Sequence, residues 1–250
     1  MLTPERHRII LQLLEEKEVV KLQELVEATN SSESTIRRDL SQLEKEKKLK
    51  RVHGGAALLH QKREELSVFE KSTKNIQEKQ LVGKYAASLI RDGDCIYLDA
   101  GTTTLQMIPY IEAKDIVVVT NGITHLEALL EKDIPTYLVG GLIKKKTKAL
   151  IGRGALASLE SYSFDKCFIG VNGIHIDYGY TTPDPEEALI KQTAMKLSRQ
   201  AFILADHSKL NESTFAKIAD LQEATIIIDE IDEELLALYE AKTTVEVVKK

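Results

Sequence analysis

The stretch Ser31-Ser32-Glu33-Ser34-Thr35-Ile36-Arg37-Arg38-Asp39-Leu40-Ser41-Gln42-Leu43 decides the N-terminal fold. Ser32 can cap a helix, because its hydroxyl accepts from backbone N–H groups that a first turn leaves unpaired. Ile36, Leu40 and Leu43 then recur on one face of that helix and must be buried. This sends Ser34, Thr35, Arg37, Arg38 and Gln42 to the other faces. Hydroxyls and guanidinium groups in the N-terminal half of such a helix are what major-groove reading requires. Arginine can bond guanine bidentately, while serine and threonine reach phosphates or base edges. Upstream, Thr29-Asn30-Ser31-Ser32 is turn chemistry, and Leu22, Leu25 and Val26 mark a second, short helix. A break at Glu18-Val19-Val20 separates it from a first helix, capped by Thr3 with Pro4 at its first position and carrying Ile9, Ile10, Leu13 and Leu14 on one face. Three helices joined in this way make a helix-turn-helix. Downstream, Leu49-Lys50-Arg51-Val52 predicts a strand, Gly54-Gly55 a tight turn, and Ala56-Ala57-Leu58-Leu59 a returning strand. A basic hairpin in that place is a wing. It can lay Lys50, Arg51 and His53 against the DNA backbone or minor groove.

Charge agrees with this reading. The 250 residues carry a net charge of -5, yet residues 1–60 are at +1 and the rest at -6. Within 37–51, seven basic residues face three acidic ones, a small basic stripe that fits one contact with a polyanion. With 43% hydrophobic and 29% charged residues the chain can bury a core, which excludes wholesale disorder. No apolar run approaches the roughly 20 residues of a membrane span. The first residues enter a charged helix pattern, so no signal peptide is expected. Two cysteines provide neither a disulfide framework nor a Cys-rich zinc site, so the expectation is a reduced, cytoplasmic chain.

At this point the sequence resembles the DeoR-type bacterial transcriptional repressors. Their N-terminal signature is an arginine, spaced apolar positions, a gap, and a small residue before a Thr-apolar-Arg-basic-Asp-apolar run. Arg6, Ile10, Leu14, Ser32, Thr35, Ile36, Arg37, Arg38, Asp39 and Leu40 stand at those places. Arg51-Val52-His53-Gly54-Gly55-Ala56 looks like the wing of the same family. The resemblance implies that Ser32, Ser34, Thr35, Arg37, Arg38, Lys50, Arg51 and His53 meet DNA. Asp39 is expected to position its arginine neighbours or to cap a contact, since its charge would repel phosphate.

The organisation expected is a winged helix-turn-helix over residues 1–59, a polar connector over 60–75, and a second domain over 76–250. In that second domain short apolar runs alternate with amphipathic stretches. The runs are Cys95–Leu98, Ile116–Val119, Thr136–Val139, Cys167–Ile169, Ala201–Leu204, Thr225–Ile228 and Val245–Val248. Helical patterns lie between several of them, as at Leu81–Arg91, Ile123–Lys132 and Glu186–Gln200. Strand alternating with helix predicts a mainly parallel α/β sheet. In such a sheet ligands sit beyond the carboxyl ends of the strands. The loops there are small and polar: Asp99-Ala100-Gly101-Thr102-Thr103-Thr104, Thr120-Asn121-Gly122, Gly140-Gly141, Gly170-Val171-Asn172-Gly173 and Asp206-His207-Ser208-Lys209. Gly101 allows close approach, the threonines supply donors and Lys209 a cation, a set suited to a phosphorylated, hydroxylated molecule.

This half resembles the DeoR-type sensor domain, itself similar to ribose-5-phosphate isomerase. The resemblance implies a sugar-phosphate effector held by Asp99, Gly101, Thr102, Thr103, Thr104, Thr120, Asn121, Glu187, Lys191 and Lys209. Phosphate would fall to the threonine loop and Lys209, and sugar hydroxyls to Asp99 and Asn121. Within the family the sequence looks most like the fructose-operon repressors of Gram-positive bacteria, which implies fructose 1-phosphate. It also implies double-stranded operator DNA as partner and a homo-oligomer, dimer or tetramer, because one helix-turn-helix offers few contacts.

Other signals carry less. Gly152-Arg153-Gly154-Ala155-Leu156-Ala157 fits a dinucleotide fingerprint, but it follows the lysine run 144–148 and no acid marks a second strand end, so it is expected to be a loop opening a helix. The lysine run itself is expected to be a solvated loop. Cys95 and Cys167 are expected to be small core residues. The histidines lack ligand spacing, so neither a metal nor a cofactor is expected. An isomerase-like enzyme with an accessory DNA-binding domain is the alternative. Asp99, Glu187, Lys191 and Lys209 include the residue types that proton transfer needs. Against it, Asn172 stands where that resemblance calls for an acid, and an isomerase has no use for the N-terminal signature.

Overall fold

A computed structural model describes residues 2–17, 19–46, 48–52, 54–58 and 65–248. The chain divides into two compact units, Met1–Gln61 and Lys62–Lys250.

In the first unit, α1 (Thr3–Lys17), β1 (Val19–Lys21), α2 (Leu22–Thr29) and α3 (Glu33–Lys45) are followed by β2 (Leu49–Val52) and β3 (Gly55–Leu58). Ile10, Leu14, Leu25, Ile36, Leu40, Leu43 and Leu49 close one core. The break expected at Val19 and Val20 is in fact a strand. β1 pairs with β3, giving a three-stranded sheet in the order β1-β3-β2. Gly55 makes this possible: a Cβ there would lie 2.2 Å from the Val20 carbonyl oxygen. A pairing between segments some thirty-five residues apart leaves no mark in local periodicity, so it was not legible beforehand.

The second unit opens with α4 (Val68–Thr73) and α5 (Ile76–Ser88), then β4 (Cys95–Leu98), α6 (Thr102–Met107), β5 (Val117–Thr120), α7 (Leu126–Glu131) and β6 (Thr136–Leu138). A short antiparallel hairpin, β7 (Leu142–Lys144) and β8 (Ala149–Ile151), leads to α8 (Arg153–Leu159) and β9 (Phe164–Gly170). There follow β10 (Gly173–His175), β11 (Gly179–Thr182), α9 (Pro185–Lys196), β12 (Ser198–Ala205), β13 (Ala216–Ala219), β14 (Thr225–Ile228), α10 (Glu233–Glu240) and β15 (Val245–Val247).

All seven apolar runs enter one parallel sheet, in the order β15-β14-β12-β9-β4-β5-β6. Successive strand residues point to opposite faces, and here both faces are apolar. Tyr97, Val119, Cys167, Ile169, Ile203 and Ile226 join α8, α9 and α10 in one core. Ile96, Leu98, Val118, Phe168, Leu204 and Ile227 join α5, α6 and α7 in the other. Continuous apolar strands, rather than alternating ones, are what a sheet covered on both sides requires. The antiparallel sheet β10-β11-β13 and the hairpin were not expected. The third helix read from sequence runs too long, because Ser198–Gln200 already belong to β12. Cys167 is buried as expected, but Cys95 is exposed at the start of β4, where the strand leaves the sheet's interior. Among the described residues no helix is long and apolar enough to cross a membrane.

Candidate functional site

In the first unit α3 begins as its sequence dictates. The Ser32 hydroxyl accepts from the Thr35 N–H at 3.3 Å and lies 2.8 and 3.0 Å from the hydroxyls of Thr35 and Ser34. Arg37 and Arg38 are exposed on the flank opposite the buried stripe. Arg37 donates to Glu33 one turn earlier, at 3.0 and 2.6 Å. Arg38 makes no hydrogen bond or ion pair among the described residues. The exposed Arg51 of β2 lies back over the same helix: its main-chain N–H donates to Glu44 at 2.8 Å and its guanidinium to the Ser41 hydroxyl at 2.8 Å. Thus Ser32, Ser34, Thr35, Arg37, Arg38 and Arg51 gather along one helix. Lys50 is in β2, and His53 lies outside the described residues.

Asp39 does something else than expected. It does not position Arg37 or Arg38. Its buried carboxylate accepts from the Arg6 guanidinium at 2.5 and 3.0 Å and meets His7 at 3.3 Å, bolting α1 to α3. Burial opposes the Asp39 charge, but Arg6 and then His7 overcome it and hold the carboxyl below the usual range. Two residues of the signature, Arg6 and Asp39, are therefore one buried ion pair that ties α1 to α3.

In the second unit the expected effector residues lie at or near the carboxyl edge of neighbouring strands β12, β9, β4 and β5. Asp99, just after β4, is buried; it accepts from the Gly170 N–H at 3.0 Å and from Lys191 of α9. Gly170 lies close under this carboxylate: a Cβ there would stand 3.3 Å from it, a tight contact. Thr104 is fully buried and turned inward: it accepts from the Gly101 N–H at 3.1 Å and lies 2.6 Å from the Asp99 carbonyl. Thr120 is likewise engaged with the Leu98 carbonyl at 2.7 Å and with His125 at 3.0 Å. Asn121 bridges the loops, accepting from the Ala100 N–H at 2.8 Å and donating to the Leu150 carbonyl at 3.3 Å. These three side chains build the edge. Thr102 and Thr103, by contrast, have no side-chain hydrogen bond among the described residues. Of the loop's three hydroxyls, theirs are the two left unengaged among the described residues.

Glu187 sits one turn before Lys191 on the same face of α9, but it is drawn elsewhere, to Thr147 at 2.5 Å and Lys144 at 3.1 Å. Lys144 therefore departs from its reading as part of a solvated loop: it also pairs with Glu65 at 2.5 Å and Asp184 at 2.7 Å. Only Lys145, Lys146 and Lys148 of that run are exposed.

Lys209 lies half-buried in a single turn of 3-10 helix after β12. It stands beside a group that the sequence reading missed. Asp206 is buried and accepts from Asn75 at 2.8 Å and from Ser208. Burial opposes the Asp206 charge, and Lys209, Ser208 and Asn75 together outweigh it, holding the carboxyl low. Lys79 of α5 is buried, donates to the carbonyls of Lys74 at 2.7 Å and of Lys71, and has its ammonium pushed down to about 8 by burial, with Asp206 opposing and Lys209 and Lys71 adding to the shift. The signal was present: Lys79, Val82, Gly83 and Ala86 are the buried positions of α5 at helical spacing, and one of them is a lysine. An ammonium in an apolar stripe is placed there for a partner.

His125, set aside for want of ligand spacing, lies fully buried between the ends of β4 and β5, 3.2 Å from the Gly101 carbonyl; burial lowers its pKa. His207 meets the two carboxylates of Asp229 and Glu230, with ligand atoms of all three within 4.8 Å of one another, a cluster that spacing did not show. His207 is already paired to Asp229 at 2.7 Å, and that bond raises its pKa. The Gly152–Ala157 motif does follow a strand, contrary to expectation. That strand is β8 of an antiparallel hairpin, however, so no βαβ cradle forms; Gly152, at φ +82°, turns the chain into α8.

Comparison with known proteins agrees with both units. Residues 6–62 match a DeoR-like helix-turn-helix domain and residues 74–230 a DeoR C-terminal sensor domain. The chain is 53% identical over 250 residues, all of both chains, to a Bacillus subtilis (strain 168) protein named "Uncharacterized HTH-type transcriptional regulator FruR". It is 34% identical over 249 residues, 98% of each chain, to the "Lactose phosphotransferase system repressor" of Staphylococcus aureus (strain NCTC 8325 / PS 47). Among solved structures, ribose 5 phosphate isomerase A from Neisseria gonorrhoeae is similar at a TM-score of 0.41 and 16% identity, covering 54% of this chain and 53% of that one, a likeness of fold alone. The full-length relatives are regulators, not enzymes. A winged helix-turn-helix carrying the Arg6–Asp39 signature, joined to a parallel α/β sensor domain, thus places this chain in the DeoR family of DNA-binding transcription regulators.

Proposed function

We propose that the protein represses a sugar-utilisation operon and is controlled by a phosphorylated sugar, fructose 1-phosphate, bound at the carboxyl edge of the sensor sheet. It binds double-stranded operator DNA as a dimer or tetramer through α3 and the wing. One half-site contacted by a single short helix would be weak, and linked half-sites multiply affinity. Ser34, Thr35, Arg37 and Arg38 address the major groove, and Lys50, Arg51 and His53 the backbone or minor groove.

The observation that carries the effector assignment is the charge at the sheet edge. Lys79 and Lys209 both act electrostatically on the buried carboxylate of Asp206, and the hydrogen bonds of Lys79 among the described residues go to backbone carbonyls. Two ammonium groups gathered in this way favour a multiply charged anion, and a phosphate gives strong charge-assisted hydrogen bonds there. Thr102 and Thr103 supply unengaged hydroxyls, while the Asp99–Lys191 pair offers acceptor and donor to sugar hydroxyls. The name of one relative, a lactose phosphotransferase system repressor, fits a sugar that arrives already phosphorylated.

The experiment is a titration of the operator complex with fructose 1-phosphate, other sugar phosphates and free fructose. Fructose 1-phosphate should loosen the complex about 5- to 150-fold, the usual span of allosteric coupling, and free fructose should not. A complex indifferent to every sugar phosphate at millimolar concentration would sink the effector reading.

A further inference from the structure

Glu65 is the first described residue after the N-terminal unit, within the stretch whose composition predicts a polar connector. It is instead 5% exposed. A carboxylate so placed must be matched. Its partners are Lys71 at 3.0 Å, on the α4 that follows it, and Lys144 at 2.5 Å, at the end of β7. The backbone is held as well, since the Val68 N–H donates to the Lys146 carbonyl at 3.0 Å.

Both partners of Glu65 lead to the effector edge. Lys144 also serves Asp184 and Glu187 at the start of α9, and the same helix carries Lys191, which holds Asp99. Lys71 gives its carbonyl to Lys79, and its charge is felt there together with those of Lys209 and Asp206. The cluster holds three carboxylates, Glu65, Asp184 and Glu187, against two ammonium groups, Lys71 and Lys144. It carries one negative charge in excess, and that excess would double if Lys71 left Glu65. An anion arriving beside Lys79 and Lys209 competes for Lys71. If Lys71 turns to it, three carboxylates share Lys144 alone, and like charges then favour expulsion of Glu65.

We propose that Glu65, seated on Lys71 and Lys144, is the latch through which an anion at the sheet edge acts on the segment that continues from the DNA-binding unit. With the seat filled, residues 65–73 are fixed to the sensor; with it emptied, they are released and operator affinity falls. The proposal rests on the effector reading above, because it needs a phosphate-bearing ligand at that edge. The latch itself is already present in the free protein, so it can be tested without ligand.

The test uses the full chain and the variant Glu65→Gln. Without ligand, Glu65→Gln should bind operator about 5- to 150-fold more weakly than wild type, the usual range for a two-state coupling. The sign is diagnostic, because removing a negative charge would by itself strengthen binding to DNA. With fructose 1-phosphate the variant should lose no further affinity, while still binding the sugar phosphate by calorimetry. Unchanged ligand-free operator affinity in the folded variant overturns the latch whatever the ligand is. A wild type indifferent to fructose 1-phosphate, with Glu65→Gln still weakened, overturns the effector reading and leaves the latch standing. If Glu65→Gln does not fold, hydrogen exchange on the wild type decides. The Val68 amide should lose protection when fructose 1-phosphate is added, and unaltered protection in a protein that binds it overturns the proposal.

Discussion

Replacing Arg37 and Arg38 by alanine should separate DNA binding from folding, and the structure sets both magnitudes. Neither side chain touches the Ile36–Leu40–Leu43 stripe that builds the core. Among the described residues the side-chain interaction that the substitutions remove is the Arg37–Glu33 pair, one turn apart and more than half exposed on both sides, and such pairs contribute about 0.3–0.5 kcal/mol. Arg38 loses nothing among the described residues. Alanine also favours helix, so the melting temperature should move by no more than about 2 °C. Binding is another matter. A bidentate contact with guanine is worth about 1–3 kcal/mol, or about 5- to 150-fold in affinity. If an arginine instead rests on phosphate, affinity falls alike on all sequences and the salt slope flattens by about one. The two arginines should not be equal. Arg37 must share itself with Glu33, so Arg38→Ala should be the more damaging single change, and Glu33→Gln should strengthen DNA binding by freeing Arg37. The assay is fluorescence anisotropy of labelled operator at several salt concentrations, with thermal unfolding alongside. A folded double variant with wild-type affinity and wild-type salt slope would refute α3 as the reading helix.

Three further outcomes are expected. Lys209→Ala should leave operator binding in place and raise the fructose 1-phosphate concentration needed for release; a dose-response curve superposable on the wild type's would remove Lys209 from the site. The purified protein should bind a sugar phosphate without turning over pentose or hexose phosphates, and an isomerisation rate abolished by Asp99→Ala would restore the enzyme alternative. Lys79 ties stability to pH: its ammonium falls from the ordinary 10.5 to about 8 on folding, so between those values the unfolded chain binds more protons and stability rises with pH. The penalty of burying the charge is fully present below pH 8 and relieved toward pH 10.5. Denaturant titrations of wild type and Lys79→Met should therefore differ in slope against pH across that window, and parallel profiles would show that Lys79 is not held as described.

The sequence by itself determined the helices of the first unit and the seven strands of the large sheet. The capped stripe of α3 and the seven apolar runs of the large sheet are local patterns, set by the periodicity of one segment, and each segment carries its own evidence. The loops at the strand ends could be read for the same reason: small and polar stretches follow apolar runs where parallel strands end. Only the tertiary structure decided which side chains there are engaged within the protein and which are not. Thr104, Thr120 and Asn121 look like ligand donors in the chain, but each is engaged with backbone groups: Thr104 within its own loop, Thr120 on the Leu98 carbonyl of β4, and Asn121 across to Ala100 and Leu150. Asp39 adjoins two arginines in sequence and pairs with a third, 33 residues away. Lys144 and Glu65 have the composition of solvated connectors, yet they meet in a buried ion cluster 79 residues apart. Strand β1 and the sheet β10-β11-β13 likewise exist only through pairing with distant segments. The physical reason is the same throughout: a hydrogen bond or ion pair is a property of two places in the chain, and its strength depends on the burial that the whole fold creates. Periodicity reports on one place at a time.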